Sequence, residues 1–327
     1  MHSIDLKKYE LRTDMVLDDN KELKSNKERK TYVNKGVNVS LILDDSYSYV
    51  TLEFSDITDT DHKDTVSLVF KEELEKFLKM YNCNLKTKYL IVGLGNIKST
   101  PDSLGPLTIE KIITTKHLFD INEVGDNFSC VSAFSPGVTG VSGIETYSYV
   151  KGVLSMVKPD ILIIVDALSS SSISRVNKSI QISNKGIMPG SGIGNERKEL
   201  SEKTLGIPVI SVGVPTITSA STIVFDTINY MMKNYAYNKE NQNKKSYKLI
   251  TKPVNYLKSN LSINEDDKKT LLGLVGMLSE DELKELIYEV LTPIGYNLMV
   301  SPKEIDFLID NLSSILSFGI NNTIHKL

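Results

Sequence analysis

Two aspartates stand where an α/β chain could carry out acid–base chemistry. Asp102 lies in Val92-Gly-Leu-Gly-Asn-Ile-Lys-Ser-Thr-Pro-Asp-Ser-Leu-Gly-Pro106, between the apolar run Tyr89-Leu-Ile-Val92 and a helical pattern over Leu107–Leu118. Asp166 ends a second apolar run, Asp160-Ile-Leu-Ile-Ile-Val165. Both runs read as buried strands, and the carboxyl edge of such strands is where ligands collect in open α/β sheets. Two carboxylates held close together cannot both ionise cheaply, so one pKa rises and the other falls. Such a pair can activate water and protonate a leaving amine. It can also hold a metal.

Each acid has an ordinary alternative. Asp102 or Ser103 could simply cap the helix that follows, and Asp166 could cap a turn. A phosphate-binding turn is poorly matched, because Gly-Leu-Gly-Asn lacks both the third glycine of Gly-x-Gly-x-x-Gly and the Gly-Lys-Ser/Thr of a P-loop. Other catalytic designs find little support. His2, His62, His117 and His325 form no His-Glu-x-x-His pair, and no Gly-x-Ser-x-Gly elbow occurs. Ser191, in Pro189-Gly-Ser-Gly-Ile-Gly-Asn195, has no base nearby in sequence; its loop reads either as a mobile active-site wall or as a flexible turn. Glu145 opens a helix, where an acid is favourable for the dipole alone.

These acids must be positioned by a regular scaffold. Strands are expected at 88–93, 129–134, 160–166, 178–183 and 207–213, with helices near 105–118, 143–157 and 217–234. The alternation predicts an α/β fold: a mostly parallel sheet with helices on both faces. The 178–183 strand is expected to pair antiparallel, since too few residues precede it for a crossover. Alternation over 37–55 predicts a preceding β-hairpin, and apolar spacing over 64–81 predicts a helix. Residues 1–30 read as a polar leader or arm, and 235–265 as a linker or long loop. After 266 the pattern is helical, and Ser301-Pro-Lys-Glu304 matches a capping box for a last helix ending near Phe318. That segment, 266–327, is expected to pack on an α/β domain spanning 15–234.

Bulk properties narrow the function. The 327 residues carry a net charge of −3, 40% hydrophobic and 24% charged residues. That balance gives no electrostatic reason to bind nucleic acid or anionic lipid. No apolar run is long enough to span a bilayer, and a cytoplasmic location is expected. Cys83 and Cys130 read as free thiols in a reducing compartment.

Several segments together resemble one family. They are Leu11-Arg-Thr-Asp14, Ile91-Val-Gly-Leu-Gly-Asn96, Thr100-Pro-Asp-Ser-Leu-Gly-Pro106, Ser132-Ala-Phe-Ser-Pro-Gly137 and Thr139-Gly-Val-Ser-Gly-Ile-Glu-Thr146. Val165-Asp-Ala-Leu168, Pro189–Asn195, Gly213-Val-Pro-Thr216 and Pro293–Glu304 continue the match. The chain resembles the germination proteases of spore-forming bacteria. More distantly it is similar to the endopeptidases that mature nickel-iron hydrogenases, which share a Gly-x-Gly-Asn loop with an acid six residues on, as Asp102 follows Asn96. The resemblance implies an endopeptidase acting on small acid-soluble spore proteins in the spore interior, as a homotetramer. It implies two catalytic aspartates, matching Asp102 and Asp166; no cofactor is expected, since a third strong metal ligand such as a well-placed His is not evident in the sequence. The distant relatives leave open a metal held by the same two acids. It also implies a zymogen with a propeptide over 1–14, cut between Asp14 and Met15. A metal-dependent hydrolase using the same acidic loop is the competing enzyme reading, and a non-catalytic nucleotide- or partner-binding module is the third.

Overall fold

Every side chain of the runs Tyr89–Val92 and Ile161–Val165 is buried, the pattern of strands covered on both faces. In the computed structural model, which describes residues 14–18, 28–43, 48–190, 198–243, 263–291 and 298–327, these runs form the centre of the main sheet. Three strands come first, β1 (Glu28–Asn34), β2 (Val37–Leu43) and β3 (Ser48–Glu53), followed by helix α1 (Thr60–Lys79). Strand β4 (Lys88–Gly93) leads through a 3-10 turn at Thr100–Asp102 into α2 (Leu104–Glu110) and α3 (Lys116–Asp120). Then come β5 (Cys130–Phe134), α4 (Thr139–Ser142), α5 (Thr146–Val157), β6 (Ile161–Ser169), β7 (Ser179–Ser183), α6 (Glu202–Leu205) and β8 (Val209–Ser219). The remaining elements are α7 (Ala220–Asn241), α8 (Glu265–Leu272), α9 (Glu280–Leu291), β9 (Met299–Val300) and α10 (Ile305–Ile324).

The main sheet runs β1-β2-β3-β7-β8-β6-β4-β5. Strands β5, β4, β6 and β8 are parallel neighbours. Strand β7 joins β8 antiparallel, as its short connection requires, and β3, β2 and β1 continue antiparallel. Alternate residues serve the two faces. Ile91, Ile161, Ile163 and Val165 pack with α1 and α10, while Leu90, Val92, Leu162 and Ile164 pack with Tyr147 and Val150 of α5. Helices therefore cover both faces of the parallel part of an α/β sheet.

The described residues divide into two compact units. One holds the sheet as far as Thr218 together with Ser301–Leu327; the other comprises Ser219–Val300. Within the second unit α9 packs on α7, and Lys239 pairs with Asp267 at 2.6 Å. No described helix is long and apolar enough to cross a membrane.

Four boundaries differ from the sequence expectation, each for a physical reason. Glu28–Lys30, expected in the leader, begin β1. This is an edge strand with its side chains largely exposed, so it carries no apolar alternation. The helix expected over 105–118 breaks into α2 and α3 because Thr115 is captured by β5: its Oγ1 donates to Ser129 O at 2.5 Å and accepts from Val131 N–H at 2.9 Å. Helix α7 continues through residues that composition placed in the linker, with Ala236 buried; residues 244–262 lie outside the described part. The capping box does not form. Glu304, not Ser301, is the N-cap of α10, without a side-chain capping bond, and the helix runs on to Ile324.

Helix α10 crosses α1 at Gly319, where an added Cβ would stand 2.2 Å from the Phe70 ring. Gly319→Ala is expected to lower stability by about 1–3 kcal/mol through overpacking, seen as a lower Tm. Adding Phe70→Leu should recover part of the loss.

Candidate active site

Strand β4 ends in a tight approach between chain segments. A Cβ on Gly105 would lie 2.1 Å from Leu94 O, and one on Gly93 would lie 2.3 Å from Gly105 O. Only glycine lets the start of α2 sit this close to the strand end. Leu94 N–H donates to Val165 O at 2.8 Å, which fastens the loop to the middle of β6. Gly95 has a φ of +120°, and the turn closes with Asn96 N–H to Asp102 O at 2.9 Å and Asp102 N–H to Ser99 O at 2.8 Å. Asp102 is half-buried in this turn. The helix-cap alternative is not realised by the N-cap residue: Ser103 makes no capping bond, and its hydroxyl donates to Thr100 O at 2.8 Å.

Asp166 is not at the end of its strand, because β6 continues to Ser169. The turn-cap alternative therefore fails. Pairing places Asp166 opposite Gly213 of β8, and Gly213 opposite Gln181 of β7, so the three positions form a row across the sheet. Gly213 is also where Leu168 folds over: a Cβ there would meet Leu168 Cδ1 at 2.4 Å. Burial, then the Asp102 carboxylate, then the Asp14 carboxylate push Asp166 well above the usual aspartate range. The Ala167 N–H, 2.9 Å from Asp166 Oδ1, opposes them. The side chain is only 7% exposed, so water does little to offset the repulsion. Asp166 therefore retains a proton where an ordinary aspartate would have lost it. The structure brings the two sequence-predicted acids into one electrostatic site, with Asp14 as a third carboxylate.

Asp14 and Met15 are held against this site by the main chain. Asp14 N–H donates to Ser169 O at 3.1 Å. Its Oδ2 accepts from Ser169 N–H at 2.9 Å and from Ser169 Oγ at 3.2 Å. Gln181 brackets the Asp14–Met15 junction: Nε2 donates to Asp14 O at 3.0 Å, and Oε1 accepts from Val16 N–H at 2.8 Å. Met15, Val16 and Leu17 are buried. A pocket of ≈ 230 Å³ opens beside them, with Leu168, Gln181, Lys185, Met188, Glu199 and Gly213 among its walls.

Sequence alone does not mark out Gln181 or Ser169. The available signal was a polar side chain at the centre of Ser-Ile-Gln-Ile-Ser, in a strand whose residues are all buried. Other candidates lie elsewhere. Glu145 Oε1 accepts from Lys198 N–H at 3.3 Å. His325 is a core residue whose Nδ1 accepts from Ser129 N–H at 3.1 Å, with burial lowering its pKa. Burial pushes the Cys83 and Cys130 thiols up, as inert cysteines require. Ser191 lies outside the described residues. Among the described residues no group of three or more His, Cys, Asp or Glu side chains is arranged to hold a metal ion.

A proton-retaining carboxyl acted on by a second carboxylate, with a chain segment bonded to the same strand, is suited to hydrolysing peptide bonds. Residues 9–327 match the family described as germination protease. The germination protease of Bacillus subtilis (strain 168) is 44% identical over 288 residues, covering 85% of this chain and 78% of that protein. That of Bacillus mycoides (strain KBAB4) is 39% identical over 350 residues, covering 98% and 95%. The match to a NiFe hydrogenase maturation protease from Thermococcus kodakarensis KOD1 covers 40% of this chain and 75% of that one at 19% identity, with a TM-score of 0.26. The chain belongs to the germination protease family. It is a peptidase of spore germination.

The raised Asp166 pKa has a signed effect on stability. The folded chain keeps a proton that the unfolded chain releases near the ordinary aspartate value of about 3.9. The stabilisation is complete below that value and is lost as pH rises through the higher folded value. Asp166→Asn, which cannot ionise, should raise the Tm of the full chain, by an amount that grows from acid to neutral pH. Thermal melts across that range check this.

Proposed function

We propose that this protease is made as a zymogen that cuts its own chain between Asp14 and Met15. It then begins the breakdown of small acid-soluble spore proteins, with Asp102 and Asp166 as the catalytic pair. The observation that carries the reading is the seating of the Asp14–Met15 junction: Gln181 bonds Asp14 O and Val16 N–H across it, and Asp14 is bound to Ser169, three residues along β6 from the buried Asp166. The expected cut bond thus lies beside the expected catalytic acids.

In this mechanism Asp102, the more accessible acid, takes a proton from water as the water oxygen attacks the Asp14 carbonyl carbon. The carbonyl oxygen gains negative charge and is held by Gln181 Nε2–H, already 3.0 Å away. Asp166 then gives its proton to the Met15 nitrogen as the C–N bond breaks. The products are a carboxyl group at Asp14 and a free amine at Met15. Proton exchange with solvent returns Asp102 to the ionised form and Asp166 to the protonated one. A homotetramer in the spore interior, as the family resemblance implies, completes the proposal.

Asp102→Asn and Asp166→Asn should each abolish self-cleavage and cleavage of a small acid-soluble spore protein, with circular dichroism unchanged. Cleavage at wild-type rate by either variant would overturn the mechanism. Loss of wild-type activity with a chelator, restored by added metal, would favour the metal-dependent alternative. Asp14→Ala should slow processing without unfolding the chain, read by mass spectrometry of the N-terminus. Gln181→Met should slow it about 100-fold, the scale of losing one donor to a developing oxyanion.

A further inference from the structure

Asp18 is the most thoroughly held acid in the segment that crosses the site. Its side chain is 1% exposed and pairs through Oδ1 with Arg175 Nη1. Its Oδ2 accepts from Ser170 Oγ at 2.6 Å and from Ser171 N–H at 2.9 Å. A carboxylate this buried is tolerated only when charge and hydrogen bonds compensate it. The partners are themselves fixed. Arg175 Nε donates to Glu53 Oε1 at 3.0 Å, and Ser172 N–H donates to Ser170 Oγ at 3.0 Å.

The placement has a register. Ser169, the last residue of β6, binds Asp14, and the next two serines bind Asp18. Between the two acids Met15, Val16 and Leu17 are buried, the latter two against Ile42 and Tyr49. One short run, Ser169-Ser170-Ser171, therefore reads two carboxylates separated by three apolar residues. We infer that Arg175, Ser170 and Ser171 form a carboxylate-binding subsite for the residue four positions beyond Asp14, and that Arg175 makes the protease select protein substrates with an acidic side chain there. Asp18 is its first occupant, and an acidic side chain of a protein substrate takes the same place once Asp18 has left. This rests on the reading that Asp14–Met15 is the cut bond.

The test uses the processed enzyme and two peptides copying residues 9–20. Both carry Asp19→Asn, and the second also carries Asp18→Asn. Wild-type enzyme should cleave the first peptide after Asp14 with a kcat/KM about 10- to 100-fold higher than the second, chiefly through KM, the scale of charged hydrogen bonds lost from a buried site. Arg175→Gln enzyme should treat the two alike, and Arg175→Lys should regain part of the preference. Equal cleavage by wild type, or an unchanged preference in Arg175→Gln, would overturn the subsite. A second arm is independent of cleavage. In the uncut Asp166→Asn chain, amide hydrogen exchange at Val16–Asp18 should speed up on adding Asp18→Asn or Arg175→Gln, and no further with both. Additive acceleration would overturn the subsite. If wild type cuts neither peptide, the cleavage reading falls, and the exchange result alone decides the subsite.

Discussion

The site depends on the cost of keeping a carboxylate at Asp166. Water is excluded, the compensating bond is a single N–H from Ala167, and two further carboxylates act on the group. Burial alone would raise the pKa; adjacent negative charge raises it further. A proton held this way is available for donation at pH values where a surface aspartate has none to give. The same arrangement weakens the fold, in keeping with functional sites retaining strain that the rest of the protein must offset.

The surrounding architecture makes that arrangement rigid. Strand β6 lies between two parallel partners, with apolar layers above and below. Its backbone cannot shift to relieve the repulsion. The glycines at 93 and 105 bring the Asp102 turn against the strand end with no side chain between them. Gly213 leaves the row between Asp166 and Gln181 clear for Leu168. Small residues at these positions therefore decide how closely the acidic groups approach.

Much of this could be read from the sequence. Continuous apolar runs ending in Gly-Leu-Gly-Asn or in Asp-Ala-Leu mark buried parallel strands and draw notice to Asp102 and Asp166, although β6 runs on past Asp166 to Ser169. The antiparallel setting of β7 followed from the length of its connection. Features that depend on distant parts of the chain were not legible. Gln181 acts on Asp14 across 167 positions and Arg175 on Asp18 across 157, and no local pattern records such pairings. Strand β1 escaped because an edge strand with little burial has no alternation to show. The break between α2 and α3 escaped because its cause is a tertiary bond from Thr115, which overrides local helical periodicity.

The clamp on Asp18 has a kinetic consequence. Were the chain cut before Met15 as proposed, what precedes the cut would be released, while the four residues after it would stay covalently joined to the enzyme and anchored at Arg175. The nascent amino terminus would then be a tethered product, present at the high local concentration that any short tether imposes. The first turnover would leave the enzyme plugged by its own end, and the lag before it accepts foreign protein would be timed by the departure of that plug.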